Sequence, residues 1–140
     1  PNSDTGNKMI FKYLKSYSKK YNFIKMYPSV PRNDFLGLLK YCGVLVGNSS
    51  SGMIEASCFN IPVINIGIRQ KDREKGHNVI DVLDVSTDHI HKAILQALMK
   101  KHRLVKKELI YGDGTASKKI VKHIERITLD KKLIQKQIYY

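Results

Sequence analysis

Hydrophobic positions along this chain alternate between helix-like and strand-like spacing. After residue 5, apolar residues recur at three- and four-residue steps, which predicts an amphipathic helix. Asp4 or Thr5 can cap this helix. Further helices are predicted at 33–41, 52–59, after Ser86, and over 115–127, and Leu98 is expected among the inward positions of the helix after Ser86. Short apolar runs predict strands at 23–27, 44–46, 62–66 and 79–82. This alternation predicts an α/β fold, a Rossmann-like parallel sheet with helices on both faces, and ligands are expected at the carboxyl ends of the strands.

One strand-to-helix turn carries the strongest chemical signal. The apolar run Val44–Val46 ends in glycine and small hydroxyl residues over 47–52, and Glu55 follows about one helical turn later. Such a turn aims unpaired backbone N–H groups at one point, where the helix dipole also favours an anion. Serine hydroxyls add donors, and Glu55 can accept hydrogen bonds from a sugar diol. The pattern predicts a pocket for phosphate and ribose.

A second strand ends beside this turn. The run 61–66 closes in Gly67 and leads to Arg69, a planar cation that can donate two parallel hydrogen bonds to a diphosphate. Each residue also has a plainer interpretation. Small-residue turns occur in many α/β proteins that bind nothing there, Glu55 can pair with a neighbouring lysine, and Arg69 can be an exposed loop cation.

Charge and length set the broad class. The 140 residues suffice for one domain, and the net charge of +13 raises the question of a nucleic-acid partner. Residues 47–91, however, hold four basic and six acidic residues, so the basic excess lies in the helical flanks. Solvated helix faces explain it best, with polyanion binding or an acidic partner domain as alternatives. No apolar run is long enough for a membrane span, and we expect a cytoplasmic protein without membrane contact.

The motifs resemble a known family. The stretches 47–55 and 62–70, then Arg73, Gly76 and Asn78-Val79, resemble the C-terminal half of hydrolysing UDP-N-acetylglucosamine 2-epimerases, which begin sialic acid synthesis. Residues 1–6 and 111–114 extend the resemblance to nearly the whole chain, apart from about the last ten residues. It implies that residues 1–140 are the UDP-binding C-terminal domain of a GT-B-like enzyme. The N-terminal catalytic domain would be absent from this chain, which we then expect to be a fragment.

The resemblance also implies an activity. Intact relatives convert UDP-N-acetylglucosamine and water to N-acetylmannosamine and UDP, by elimination to a glycal and hydration. The acid and base would come from the absent domain, so no catalytic residue is expected in this chain beyond Arg69 as a leaving-group stabiliser. We expect the 140 residues alone to be inactive, with at best weak UDP binding. Neither a cofactor nor a metal is expected, and the intact enzyme is expected to be a homo-oligomer.

Individual roles follow from the same resemblance. Ser49 and Ser50, in the turn that ends at Gly52, would meet phosphate oxygens, Glu55 the ribose hydroxyls, and Arg69 the phosphate or the adjacent sugar. The backbone near Val30 would meet the uracil edge, and Asn2 would face the nucleotide-sugar. Asn2 and Asp4 can equally be a helix cap.

Three alternatives remain open from the sequence. The substrate could be UDP-N,N′-diacetylbacillosamine, as in legionaminic acid synthesis, since the absent half would read most of the sugar. A GT-B glycosyltransferase donor domain would use the same turn and glutamate. A basic nucleic-acid-binding domain is the third alternative, although no recognition motif supports it.

Overall fold

The computed structural model describes residues 6–101 and 109–135 of the chain. Two compact units are distinguished, Pro1–Leu38 and Leu39–Tyr140. The elements, in chain order, are α1 (Asn7–Lys20), α2 (Arg32–Tyr41), β1 (Leu45–Gly47), a 3-10 turn (Ser50–Gly52), α3 (Glu55–Phe59), β2 (Val63–Ile66), β3 (Val79–Val82), α4 (Thr87–Lys101), α5 (Ala116–Ile124) and α6 (Lys131–Ile134).

In the first unit, α1 follows Gly6, whose positive φ of 90° suits glycine at the start of the helix. The predicted caps, Asp4 and Thr5, lie outside the described residues. The strand predicted at 23–27 is wrong, because this segment, although described, pairs with no neighbouring strand and has no regular structure. Phe23 is 81% exposed. Local β preference does not make a strand where no pairing partner is present.

The second unit is built on a three-stranded parallel sheet in the order β1-β2-β3. Leu45 pairs with Val63, and Val63 in turn pairs with Val79. β-branched residues dominate β2 and β3, as expected for strands that are covered rather than solvated. The predicted strands at 44–46, 62–66 and 79–82 are confirmed to within a residue.

Helix α4 covers one face of this sheet, and the 3-10 turn lies against the other. Ile64 and Val82 pack on one face against Ala93 and Ala97 of α4. Because successive side chains of a strand alternate, Val63 points to the opposite face, where it lies against the 3-10 turn. The sequence-based α/β class, with a Rossmann-like parallel sheet and helices packed on it, is therefore confirmed.

Several element details differ from the prediction. The helix predicted over 52–59 is a 3-10 turn followed by a short α3, and α5 ends at Ile124 rather than near residue 127. Leu98 was expected to face the core, yet 45% of it is exposed, since the smaller Ala93 and Ala97 make the contact with the sheet. The short α6, capped by the Asp130 carboxylate, was not predicted.

The amino edge of the sheet is fastened by one buried amide. Asn78 is only 6% exposed, and its Nδ2 donates to the carbonyl of Ile61 over 2.8 Å. The backbone carbonyl of Asn78 accepts from the N–H of Val63. These bonds align the starts of β2 and β3. Across 6–101 and 109–135, no helix combines the length and the apolar character that crossing a bilayer requires.

Candidate functional site

The carboxyl edge of the sheet gathers the loops that the sequence singled out. β1, β2 and β3 run parallel, so the chain leaves all three at the same edge. The first loop begins at Asn48 and the second at Gly67. Edges of this kind are where open α/β sheets bind ligands.

The first loop forms a tight turn held by its own backbone. Gly47 ends β1 with a φ of 154°, a conformation that favours glycine. Ser49 then caps the 3-10 turn, and its Oγ accepts from the N–H of Ser51 over 3.3 Å. The N–H of Gly52 donates to the carbonyl of Ser49 over 3.1 Å.

The hydrogen bonds within this turn determine which of its backbone N–H groups are left to bind a ligand. The N–H groups of Ser51 and Gly52 are used within the turn, whereas the structure gives those of Ser49 and Ser50 no acceptor among the described residues. The Ser49 hydroxyl accepts one bond and still has its proton to donate. The donors remaining at this turn are therefore concentrated at Ser49 and Ser50.

Gly52 lets the turn lie directly on the sheet. A Cβ at this position would come within 2.8 Å of Val63 Cγ1, closer than side-chain carbons approach one another. Val63 is 2% exposed and lies in the middle strand. The glycine is thus required by space rather than by backbone conformation, and the turn is held against the core.

The second loop reaches back to the first through two side chains. Gly67, with a φ of 76°, turns the chain after β2. Arg69 Nη1 then donates to the carbonyl of Asn48 over 3.3 Å, and Gln70 Nε2 donates to the same carbonyl over 2.8 Å. Arg69 is exposed, whereas Gln70 is 3% exposed. One backbone oxygen therefore ties the guanidinium to the serine turn.

The predicted site residues take the following places. Ser49, Ser50 and Gly52 share the turn, and Arg69 is brought to that turn through Asn48. Glu55 is the first residue of α3 and is half-buried. Val30 is half-buried in an irregular segment of the other unit, and Asn2 lies outside the described residues.

A polar cluster lies on β2 and β3. Asn65 Nδ2 donates to Asp81 Oδ1 over 2.7 Å, and Lys75 Nζ lies 2.6 Å from Asp81 Oδ2. Burial alone would raise the pKa of the Asp81 carboxyl, but the hydrogen bonds from Asn65 and Lys75 and the lysine charge outweigh it, so that pKa lies below its ordinary value. Asp81 is therefore held as a carboxylate.

Two buried oxygens at or near this edge have no hydrogen-bond partner among the described residues. They are Asn65 Oδ1 and Gln70 Oε1, and Asn65 is only 1% exposed. A buried acceptor without a donor costs about 1–3 kcal/mol, so native proteins contain only a few such atoms.

The third loop leads into α4 beside a cavity of about 280 Å³. Ser86 Oγ accepts from the N–H of His89, as expected for the predicted helix start, and His89 Nδ1 lies 2.9 Å from an Asp84 oxygen. A second cavity, of about 520 Å³, runs along the exposed face of α5. Within the described ranges, no three side chains of the metal-ligating types come together.

Sequence reasoning missed the two residues that join the loops. Asn48 acts through its carbonyl, which every residue has, so its identity carries no signal. Gln70 adjoins Arg69 in the quoted motif, but its burial depends on a contact with a residue 22 positions earlier. A polar residue directly after a candidate ligand residue was the one available hint.

The sequence is similar to one protein family and to several of its members. Residues 1–125 match the family model described as UDP-N-acetylglucosamine 2-epimerase. Over 136 residues, 97% of this chain, the sequence is 38% identical to the hydrolysing UDP-N,N′-diacetylbacillosamine 2-epimerase of Legionella pneumophila, of which it covers 35%. It is 41% identical over 97 residues to the UDP-N-acetylglucosamine 2-epimerase of Neisseria meningitidis, covering 69% of this chain and 25% of the relative.

A polysialic acid biosynthesis protein of Escherichia coli, P7, is 44% identical over 81 residues, 58% of this chain and 20% of that protein. The chain thus spans about a third or less of the length of these relatives. With most of its residues matched by one family model, the chain belongs to the UDP-N-acetylglucosamine 2-epimerase family.

Proposed function

We propose that this chain is the UDP-binding part of a hydrolysing UDP-sugar 2-epimerase, an enzyme that converts UDP-N-acetylglucosamine and water to N-acetylmannosamine and UDP. The observation that carries the proposal is the shared Asn48 carbonyl, which accepts hydrogen bonds from both Arg69 and Gln70. It joins the serine turn to the loop that bears the guanidinium. Family membership supports an epimerase over a glycosyltransferase or a nucleic-acid binder.

The donors at this edge suit a diphosphate. Ser49 and Ser50 offer N–H and hydroxyl groups, and Arg69 brings a permanent positive charge to the same turn. Glu55, at the first residue of α3, is the acceptor in our proposal for the ribose hydroxyls. Val30 and Asn2 are proposed to meet the uracil and the sugar side, as in the family pattern.

In the reaction, these groups would stabilise the leaving group. Negative charge grows on the β-phosphate as the anomeric C–O bond breaks, and preoriented donors oppose that charge without having to reorganise. Removal of one such donor costs about 2.7–4 kcal/mol of barrier in other enzymes. Proton transfer at the sugar needs an acid and a base, which we assign to the part of the enzyme outside these 140 residues. The chain alone is then inactive.

A second substrate has specific support. The Legionella relative, similar over 97% of this chain, is named for UDP-N,N′-diacetylbacillosamine. Both sugars carry the same UDP group, so the turn and Arg69 would serve either substrate equally.

Binding is tested by isothermal titration calorimetry of the chain with UDP, UDP-N-acetylglucosamine and a random oligonucleotide, each at two salt concentrations. We expect UDP to bind with little dependence on salt. A steep salt dependence with the oligonucleotide and no heat with UDP would instead identify a polyanion-binding protein.

Activity is tested on the full-length protein encoded by the gene that contains these residues. Proton NMR of the products follows N-acetylmannosamine or the corresponding diacetylated sugar, and the ratio of kcat/KM values for the two substrates identifies the physiological one. If neither sugar nor UDP is released, the proposed activity is wrong.

A further inference from the structure

The side chain of Gln70 presents an unusual combination of contacts. It is 3% exposed, its Nε2 donates to the carbonyl of Asn48 over 2.8 Å, and its Oε1 is buried without a partner among the described residues. The assignment of the two amide atoms is fixed by chemistry, since the Asn48 carbonyl can only accept and must face the nitrogen.

We infer that Gln70 is a positioning residue, whose amide fixes the Asn48 carbonyl and so sets the orientation of the Ser49 and Ser50 donors toward the diphosphate. The inference rests on the proposed UDP-binding function. In this role Gln70 carries no charge and does not contact the ligand, and it acts only through the Asn48 carbonyl.

The covalent chain explains how the effect is transmitted. Rotation of the Asn48 carbonyl rotates the whole peptide plane that it shares with the N–H of Ser49, because the peptide bond is planar. Gln70 holds the oxygen of this plane, so it also directs the N–H on the opposite side. On the C-terminal side of Ser49, the hydrogen bond from the Ser51 N–H to Ser49 Oγ holds the turn.

Arg69 alone does not fix this peptide plane. Its bond to Asn48 is longer, at 3.3 Å, and its side chain is exposed. The shorter bond comes from the buried amide, which has little freedom to move. The buried amide of Gln70, rather than the guanidinium of Arg69, therefore sets the orientation of this peptide plane.

The chain offers a matched control in Asn78. Its amide is also buried, at 6% exposure, and also donates over 2.8 Å to a backbone carbonyl, that of Ile61. This bond lies at the amino edge of the sheet, away from the candidate site. Gln70→Met and Asn78→Leu each replace the amide with an apolar group of similar shape, so each removes one buried hydrogen bond.

The experiment measures the affinities of UDP and of uridine for the wild-type protein and both variants by calorimetry, with unfolding in urea as the check on stability. We expect Gln70→Met to lower the ratio of UDP affinity to uridine affinity about 5–10-fold, the effect of one misplaced hydrogen bond. Asn78→Leu should leave this ratio unchanged, although it lowers stability to a similar extent.

A second variant guards against a folding failure. Gln70→Glu keeps the size of the side chain but sets an acceptor against the Asn48 carbonyl, and it should lower the affinity ratio at least as far as Gln70→Met. The inference would be overturned if the ratio of UDP affinity to uridine affinity were the same in wild type and both Gln70 variants. It would also be overturned if Asn78→Leu lowered this ratio as much as the Gln70 variants do. If the wild-type protein itself binds no UDP, the proposed function fails instead, so the two failures are distinguishable.

Discussion

Substitution of Gly52 by alanine tests whether the serine turn is held against the core by lack of space. The new Cβ would lie 2.8 Å from Val63 Cγ1 and 3.8 Å from Leu45 Cδ2. Carbon atoms pack best at about 3.5–4.0 Å, so the first contact is too short by roughly 0.7 Å or more. Val63 is buried and β-branched, with little rotamer freedom, and the turn must therefore move.

The expected cost follows from that displacement. Overpacking a core by one methyl group costs about 1–3 kcal/mol, and alanine returns about 0.4–1 kcal/mol by restricting the unfolded chain. We therefore expect Gly52→Ala to lower the free energy of unfolding by about 1–2 kcal/mol. Because the turn carries Ser49 and Ser50, UDP affinity should fall as well.

The assay is urea unfolding followed by circular dichroism, combined with a double-mutant cycle. Val63→Ala removes the methyl group that clashes, so Gly52→Ala should cost at least about 1 kcal/mol less in that background. Gly37→Ala is the control, since an added Cβ there meets nothing within 4 Å and lies in α2, where alanine is favoured by about 0.5–1 kcal/mol. If Gly52→Ala is as stable as wild type, or costs the same with and without Val63, the spatial argument is refuted.

Three further predictions concern the loops around the sheet edge. Arg69→Lys should weaken UDP binding about tenfold in calorimetry, because a lysine lacks the planar paired donors, and equal affinity would exclude a guanidinium role. Gly67→Ala should cost about 1–2 kcal/mol in urea unfolding, since φ at this position is +76°, and a neutral result would contradict that conformation. Asp81 has a lowered pKa, so its stabilising contribution is complete above the unfolded-state pKa near 3.8 and is lost as pH falls through the lower folded-state value. Asp81→Asn should thus lower the free energy of unfolding at pH 7, by no more than about 1 kcal/mol because the ion pair with Lys75 is partly exposed. In strong acid the same substitution should have no effect. A loss of stability that does not depend on pH would be evidence against the charged contact.

The sequence predicted the part of the fold that depends on local pattern. The strands after residue 44 were located within a residue, because glycine, serine and proline punctuate the apolar runs there. The segment at 23–27 has an equally apolar pattern but is unpaired, since strand formation depends on a neighbour that the local pattern does not specify. Exposure of Leu98 was missed for a similar reason, as helical periodicity does not reveal how closely the small Ala93 and Ala97 approach the sheet.

For the candidate site, the serine turn and Arg69 could be identified from residue types that suit phosphate binding. The burial of Gln70 could not, because it results from two loops meeting across 22 residues of sequence. The division of the turn's N–H groups into used and available donors also depends on exact backbone geometry, which spacing alone does not give.

The order of the strands in space follows their order along the chain, and this bears on how the protein folds. Leu45 pairs with Val63 and Val63 with Val79, so paired residues are only about 16 to 18 positions apart. The entropic cost of closing a loop rises with the logarithm of its length, and contacts between residues close in sequence favour rapid folding. The serine turn and the loop that carries Arg69 therefore meet as soon as adjacent strands associate, with no need for a remote segment to arrive first.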